Sequence, residues 1–183
     1  LGPNVVAGLS FGAQDTDATM AGINQDGTLH FVQPYLAYRN GPWSAEATLI
    51  YGAGDFTQTA LAGTGTGETR LRAFTFTGGY DIAIPEGVTL TPIFGLAHGV
   101  EHIDGLTGIV AAAGSDSVHF TRASFGAEIK TDMNGFEVTG GVHADWLETN
   151  ADTALVSDLL ADDGWTGRLE LGISSEVGSG VLL

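Results

Sequence analysis

The sequence predicts an all-β chain: an antiparallel, up-and-down β-barrel that crosses a membrane with about eight strands. Apolar and polar residues alternate with period two through eight separate segments, as they do in strands whose side chains point to opposite faces. The connections between these segments alternate long and short. Large aromatic residues stand at the segment ends, on the apolar side.

In chain order, residues 4–12 set Val5, Ala7, Leu9 and Phe11 against Val6, Gly8 and Ser10. Residues 28–39 carry Val32, Pro34, Leu36 and Tyr38 on one face and Gln33, Tyr35, Ala37 and Arg39 on the other. Trp43, Ala45, Ala47, Leu49 and Tyr51 oppose Ser44, Glu46 and Thr48. In residues 69–82, Phe74, Phe76, Gly78, Tyr80 and Ile82 oppose Ala73, Thr75, Thr77, Gly79 and Asp81. Residues 88–103 place Leu90, Pro92, Phe94 and Leu96 together, and 117–130 set Ala123, Phe125, Ala127 and Ile129 against Arg122, Ser124, Gly126, Glu128 and Lys130. Phe136, Val138, Gly140, Val142, Ala144 and Trp146 alternate with Glu137, Thr139, Gly141, His143 and Asp145. Finally, Trp165, Gly167, Leu169, Leu171 and Ile173 alternate with Arg168, Glu170, Gly172 and Ser174. Each strand is expected to be near ten residues long.

Long polar loops are expected over 13–27, 53–67, 104–116 and 147–164, and tight turns over 40–42, 83–87 and 131–135. In an up-and-down meander every second connection lies at the same end. All long loops would then share one end and all tight turns the other, the habit of outer-membrane barrels. Within the last long loop, the spacing of Leu155, Leu159 and Leu160 after Asp152 or Thr153 predicts a short helix over 153–163.

Composition narrows the class. The 183 residues carry a net charge of −16 with only six Lys and Arg, which argues against nucleic acid and against an anionic membrane surface. There is no cysteine, so neither disulfides nor thiolate metal sites hold the chain together. The longest apolar run, residues 109–114, is far short of a spanning helix. Any crossing must be made by strands.

Tyr38, Trp43, Tyr51, Tyr80, Trp146 and Trp165 are the expected membrane-interface aromatics, since their rings suit an apolar environment and their polar edges suit water. The apolar face would then look to lipid. The polar face would line a wet lumen, with Glu46, Asp81, Arg122, Glu128, Glu137, His143, Asp145, Arg168 and Glu170 on it. A soluble barrel would invert this arrangement.

No motif carries a strong chemical signal. Residues 98–102, HGVEH, match an inverted zinc-protease pattern, but that chemistry needs a helix. On a strand His98 and His102 stand about 13 Å apart, too far for one zinc ion. His143 and Asp145 share a face and could form an acid–base pair, yet no nucleophile motif accompanies them. Cross-strand pairing with Arg122 or Arg168 is the expected role. The loop acids Asp15, Asp17, Asp26, Asp55, Asp104, Asp116, Asp158, Asp162 and Asp163 lack the Asp-x-Asp-x-Asp-Gly spacing of a calcium loop. No catalytic residue, metal or cofactor is expected.

Several stretches resemble autotransporter β-domains, the translocator barrels of type V secretion. Residues 35–43, YLAYRNGPW, are similar to that family's aromatic strand, turn and following strand. Residues 90–108, LTPIFGLAHGVEHIDGLTG, are similar to its Leu-x-Pro strand and the Asp-Gly loop start beyond it. Arg122 matches its inward arginine, and VHADW (142–146) its late aromatic strand. The resemblance implies a barrel of roughly twelve strands in the outer membrane of a Gram-negative bacterium. Residues 1–183 would be one β-barrel domain forming part of it. The implied partners are outer-membrane lipid, the barrel-assembly machinery, and a passenger with its linker helix outside this sequence. The chain departs from the family pattern at its end, GSGVLL, where an aromatic residue is usual. A small closed eight-stranded outer-membrane protein with adhesive loops, or a soluble secreted ligand-binding barrel, would fit the alternation too.

Overall fold

The computed structural model describes residues 2–20, 22–133, 135–152 and 163–175. Its strands are β1 (Val5–Met20), β2 (Ile23–Asn40), β3 (Trp43–Ala60), β4 (Gly63–Tyr80), the short β5 (Ile82–Ile84), β6 (Val88–Gly105), β7 (Ser115–Met133), β8 (Phe136–Ala151) and β9 (Gly164–Ser175). They form one antiparallel sheet in the order β1-β2-β3-β4-β6-β7-β8-β9, with β5 paired to β6. Every long strand is hydrogen-bonded to the next long strand in the chain, which is the predicted up-and-down meander.

Each ladder keeps one register from end to end, as from Val5 opposite Tyr38 to Met20 opposite Ile23. Because side chains alternate, an unbroken register carries one choice of face across the whole sheet. Ala47, Phe76, Leu96, Ala123, Trp146 and Trp165 form one cross-strand row. The adjacent row on the opposite face is Glu46, Thr77, Gly95, Ser124, Asp145 and Thr166.

The accessibility of the two faces is the reverse of a soluble protein's. Phe11 is 75% exposed and Leu171 92%, whereas Thr48 is 4% and Asp145 6% exposed. Burial of polar residues beneath exposed apolar ones is a clear anomaly for a chain in water. On the polar face, aromatic rings lie across glycines of the neighbouring strand. Tyr35 covers Gly8 and Phe120 covers Gly99, so a Cβ at either glycine would run into the ring. This use of glycine fits a crowded concave wall.

Two prolines fall where the ladder has a gap. Pro34 lies where the β2–β3 pairing is interrupted between Val32 and Tyr35. Pro92 lies where β6 changes partner, from Gly79 of β4 at Ile93 to Ile82 of β5 at Leu90. A residue without an N–H is accommodated at such a break.

The connections differ from expectation. Residues 13–27 and 53–67 are not long loops: their described residues continue β1–β2 and β3–β4, with turns at Gly22 and at 61–62. The strands reach 16 to 19 residues in β1 to β4 and β6 to β8, not ten. Hydropathy alternation reports burial, not backbone pairing. These extensions are mostly polar or small and carry no apolar alternation, yet the ladder continues through them. The turns at 41–42 and at Gly135 and the β5–β6 hairpin are tight, as expected. Of the loop expected at 104–116, only residues 106–114 leave the sheet. They hold a six-residue helix, α1 (Gly108–Ala113), where the sequence predicts a loop. It is pinned to β4 by Leu106 N and Thr107 N donating to Thr66 O at 2.9 and 3.1 Å. The helix expected at 153–163 falls almost wholly outside the described residues.

Replacing Gly99 with Ala should drive a methyl into the Phe120 ring and lower stability by roughly 1–3 kcal/mol. Gly167→Ala, with open space around its Cα, should change it by no more than about 0.5 kcal/mol. Urea unfolding of the two variants in lipid vesicles measures both.

Candidate functional site

The polar face holds an ion-pair network built by register. The chain has six Lys and Arg, and Arg39, Arg122, Lys130 and Arg168 all lie on this face, each against a carboxylate. Asp145 on β8 is the central acceptor. Arg122 Nη2 of β7 stands 3.0 Å from its Oδ1, and Arg168 Nε of β9 stands 3.5 Å from its Oδ2. The carboxylate is buried while both guanidinium groups stay partly exposed, so three adjacent strands are tied at one level. Arg168 also binds Glu170.

Nearer the 41–42 turn, Lys130 Nζ lies 2.5 Å from Glu137 Oε2. Arg39 Nη2 lies 2.5 Å from Asp81 Oδ2, and Thr91 Oγ1 donates to Asp81 Oδ1 at 2.8 Å. A hollow of about 650 Å³ opens here, its polar lining including Arg39, Glu46, Asp81, Thr91, Glu128 and Lys130. The register thus brings all nine sequence-predicted polar-face residues onto one side of the sheet. Arg122, Glu128, His143, Asp145, Arg168 and Glu170 gather on β7–β9, and Glu46 and Asp81 lie across the hollow. Arg39 and Lys130 were not singled out from the sequence. Their phase in the alternation, two residues beyond Ala37 and Glu128, is the signal that finds them.

The predicted aromatics share the opposite face, but not all at strand ends. Tyr38, Trp43, Tyr80 and Trp165 lie near strand termini, and Trp43 meets Tyr80 edge-on with centroids 4.7 Å apart. Tyr51 and Trp146 lie inside β3 and β8, because both strands continue beyond the apolar rows. Tyr51 marks a change of chemistry instead. Its row contains Arg72, the next contains Arg70 and His102, and the one after contains Asp55, Glu68 and Asp104.

HGVEH lies within strand β6. His98 Nδ1 bonds Thr121 Oγ1 at 3.0 Å and His102 Nδ1 bonds Ser117 Oγ at 3.0 Å, so the two imidazoles serve separate cross-strand contacts. His143 turns its Nε2 toward Glu128 and Glu170, while the charge partners of Asp145 are Arg122 and Arg168. The arrangement can hold charges in place along a concave wall; it does not align a base with a nucleophile.

The family model of the autotransporter β-domain matches residues 1–183. The chain belongs to the autotransporter β-domain family. It is therefore a transmembrane barrel domain of the bacterial outer membrane. Solved structures agree on the fold. The alcaligin outer-membrane receptor FauA from Bordetella pertussis aligns with a TM-score of 0.52 at 11% identity, over 98% of this chain and 31% of its own. BauA, the ferric preacinetobactin receptor from Acinetobacter baumannii, aligns with a TM-score of 0.53 at 7% identity, over 94% of this chain and 35% of its own. The β-domain thus spans about a third of the length of these receptors. No curated protein matches the sequence.

Asp145→Asn should leave the β-domain's Arg122 and Arg168 competing for a neutral partner and cost about 1–3 kcal/mol. Because the two arginines share one acceptor, adding Arg122→Met to Asp145→Asn should cost less than the sum of the single changes. A double-mutant cycle from unfolding in vesicles measures the coupling.

Proposed function

We propose that this β-domain is part of the wall of an outer-membrane translocator that anchors and helps export a passenger through a polar lumen. The observation that carries the reading is the inverted sheet: exposed apolar rows on one face, and on the other a paired charge network centred on the buried Asp145. Lipid would cover the apolar face, with Tyr38, Trp43, Tyr51, Tyr80, Trp146 and Trp165 near its boundaries. Glu46, Asp81, Arg122, Glu128, Glu137, His143, Asp145, Arg168 and Glu170 would line the lumen of a barrel in a Gram-negative outer membrane. There they would hold the linker helix by ion pairs and keep a wet path for an extended passenger.

A wall in lipid must leave no ladder edge unpaired. Among the described residues β1 and β9 each have one neighbour. Further strands, in a barrel of about twelve, would close it with the help of the barrel-assembly machinery. The polar extensions of β1–β4 would stand outside the membrane.

Placing a charge on each face tests the reading in the full-length protein. Phe125→Arg should cost about 2–4 kcal/mol on the lipid side and deplete the heat-modifiable barrel from outer membranes. Glu46→Arg, on the lumen side, should leave the barrel assembled. Neutralising Arg122, Glu128, Glu137, His143, Asp145 and Arg168 together should lower the surface-exposed passenger several-fold per assembled barrel. Equal tolerance of Phe125→Arg and Glu46→Arg on unboiled gels, or unchanged export by the neutralised barrel, would contradict the proposal.

A further inference from the structure

The network leaves one group unexplained. His143 is 9% exposed, its side chain only 5%, and its buried Nε2 has no hydrogen-bond partner among the described residues. An unpartnered polar atom in a native wall calls for a ligand or a reason. Its position is set by two glycines. Gly126, directly opposite on β7, lies under the ring, where a Cβ would collide with Nδ1. Gly141, two residues earlier on β8, lies under Nε2, which a Cβ there would approach to 3.0 Å. The ring can therefore lie along the strand and aim Nε2 at the row of Gly141. That row is flanked by Glu128 on β7 and Glu170 on β9.

Nε2 stands 4.0 Å from Glu128 Oε1 and 3.5 Å from Glu170 Oε2, and the three potential ligand atoms lie within 4.8 Å of one another. Around a zinc ion with bonds of about 2.0–2.2 Å, tetrahedral ligand atoms sit roughly 3.3–3.6 Å apart. The partly exposed glutamates need only small side-chain shifts to meet that spacing. Arg168 binds the other oxygen of Glu170, the kind of outer contact that orients a metal-ligating carboxylate.

We infer that Glu128, His143 and Glu170 form a site for a divalent transition-metal ion on the polar wall, bridging β7, β8 and β9. The imidazole nitrogen selects for zinc-like ions over calcium or magnesium, which prefer oxygen alone. Two carboxylates neutralise the ion's charge, and three protein ligands leave a coordination position open to water. The site does not depend on passenger export: it needs only these three strands in register.

The test uses full-length protein in detergent, stripped with chelator and titrated with Zn²⁺ against a chromogenic competitor. The wild type should take up one equivalent lost to His143→Phe, whose flat ring still fits over Gly126. The isosteric Glu128→Gln/Glu170→Gln pair should weaken uptake at least tenfold, and His98→Phe should leave it unchanged. The heat-dependent gel shift confirms that each variant is folded. Co²⁺ on unsubstituted protein should give the visible ligand-field bands of a site with low coordination number. Absence of saturable uptake by the wild type, or full retention in His143→Phe, would overturn the inference, as would a Co²⁺ spectrum of the hexaaqua ion alone.

Discussion

The structure depends on an uninterrupted antiparallel register. A strand in lipid has no water to satisfy its N–H and C=O groups, so every backbone group must find a partner in the next strand. Once the ladder is continuous, the two-residue period makes one decision for the entire sheet. If Phe125 faces outward, so do Phe94, Ala144 and Gly167 in its row, and Ser124 and Asp145 face the other way. A slip of one residue in a single strand would place Arg122 or Arg168 among the apolar rows, a cost that holds the register in place.

That constraint explains how so few basic residues suffice. The Asp145 carboxylate is buried, and an unpaired charge there would be costly. Arg39, Arg122, Lys130 and Arg168 are each placed beside an acid from another strand or from the β4–β5 junction. The pairs add cross-strand ties to those of the backbone. Glycines on the same face make room for rings, so crowding is relieved without breaking the ladder. In the proposed barrel, charge pairing and glycine placement would both follow from curving the polar face inward.

Face assignment was legible in the sequence because it needs only phase. Glu137, His143 and Asp145 can be counted against Phe136, Val142 and Trp146 without knowing any contact. Strand length was not legible. Residues 13–27 and 53–67 are mostly polar or small with only scattered apolar residues, so hydropathy shows no alternation there, yet their backbone pairs continue. Tyr51 and Trp146 were placed at strand ends for the same reason: the apolar pattern stops near them and the strand does not. The grouping of Glu128, His143 and Glu170 was hidden because it spans three strands. It emerges only when the register sets Gly126 opposite His143 and Gly141 between the two glutamates.

The central claim is that the apolar rows meet lipid. All three tryptophans of the β-domain, Trp43, Trp146 and Trp165, lie on those rows. The most direct measurement is their fluorescence in bilayers, in a full-length version where they are the sole tryptophans. Lipids brominated along the acyl chains should quench the emission strongly, and aqueous iodide should have little effect. Strong quenching by iodide with no response to brominated lipid would put these rings in water or in a protein core, and the inside-out reading of the sheet would be wrong.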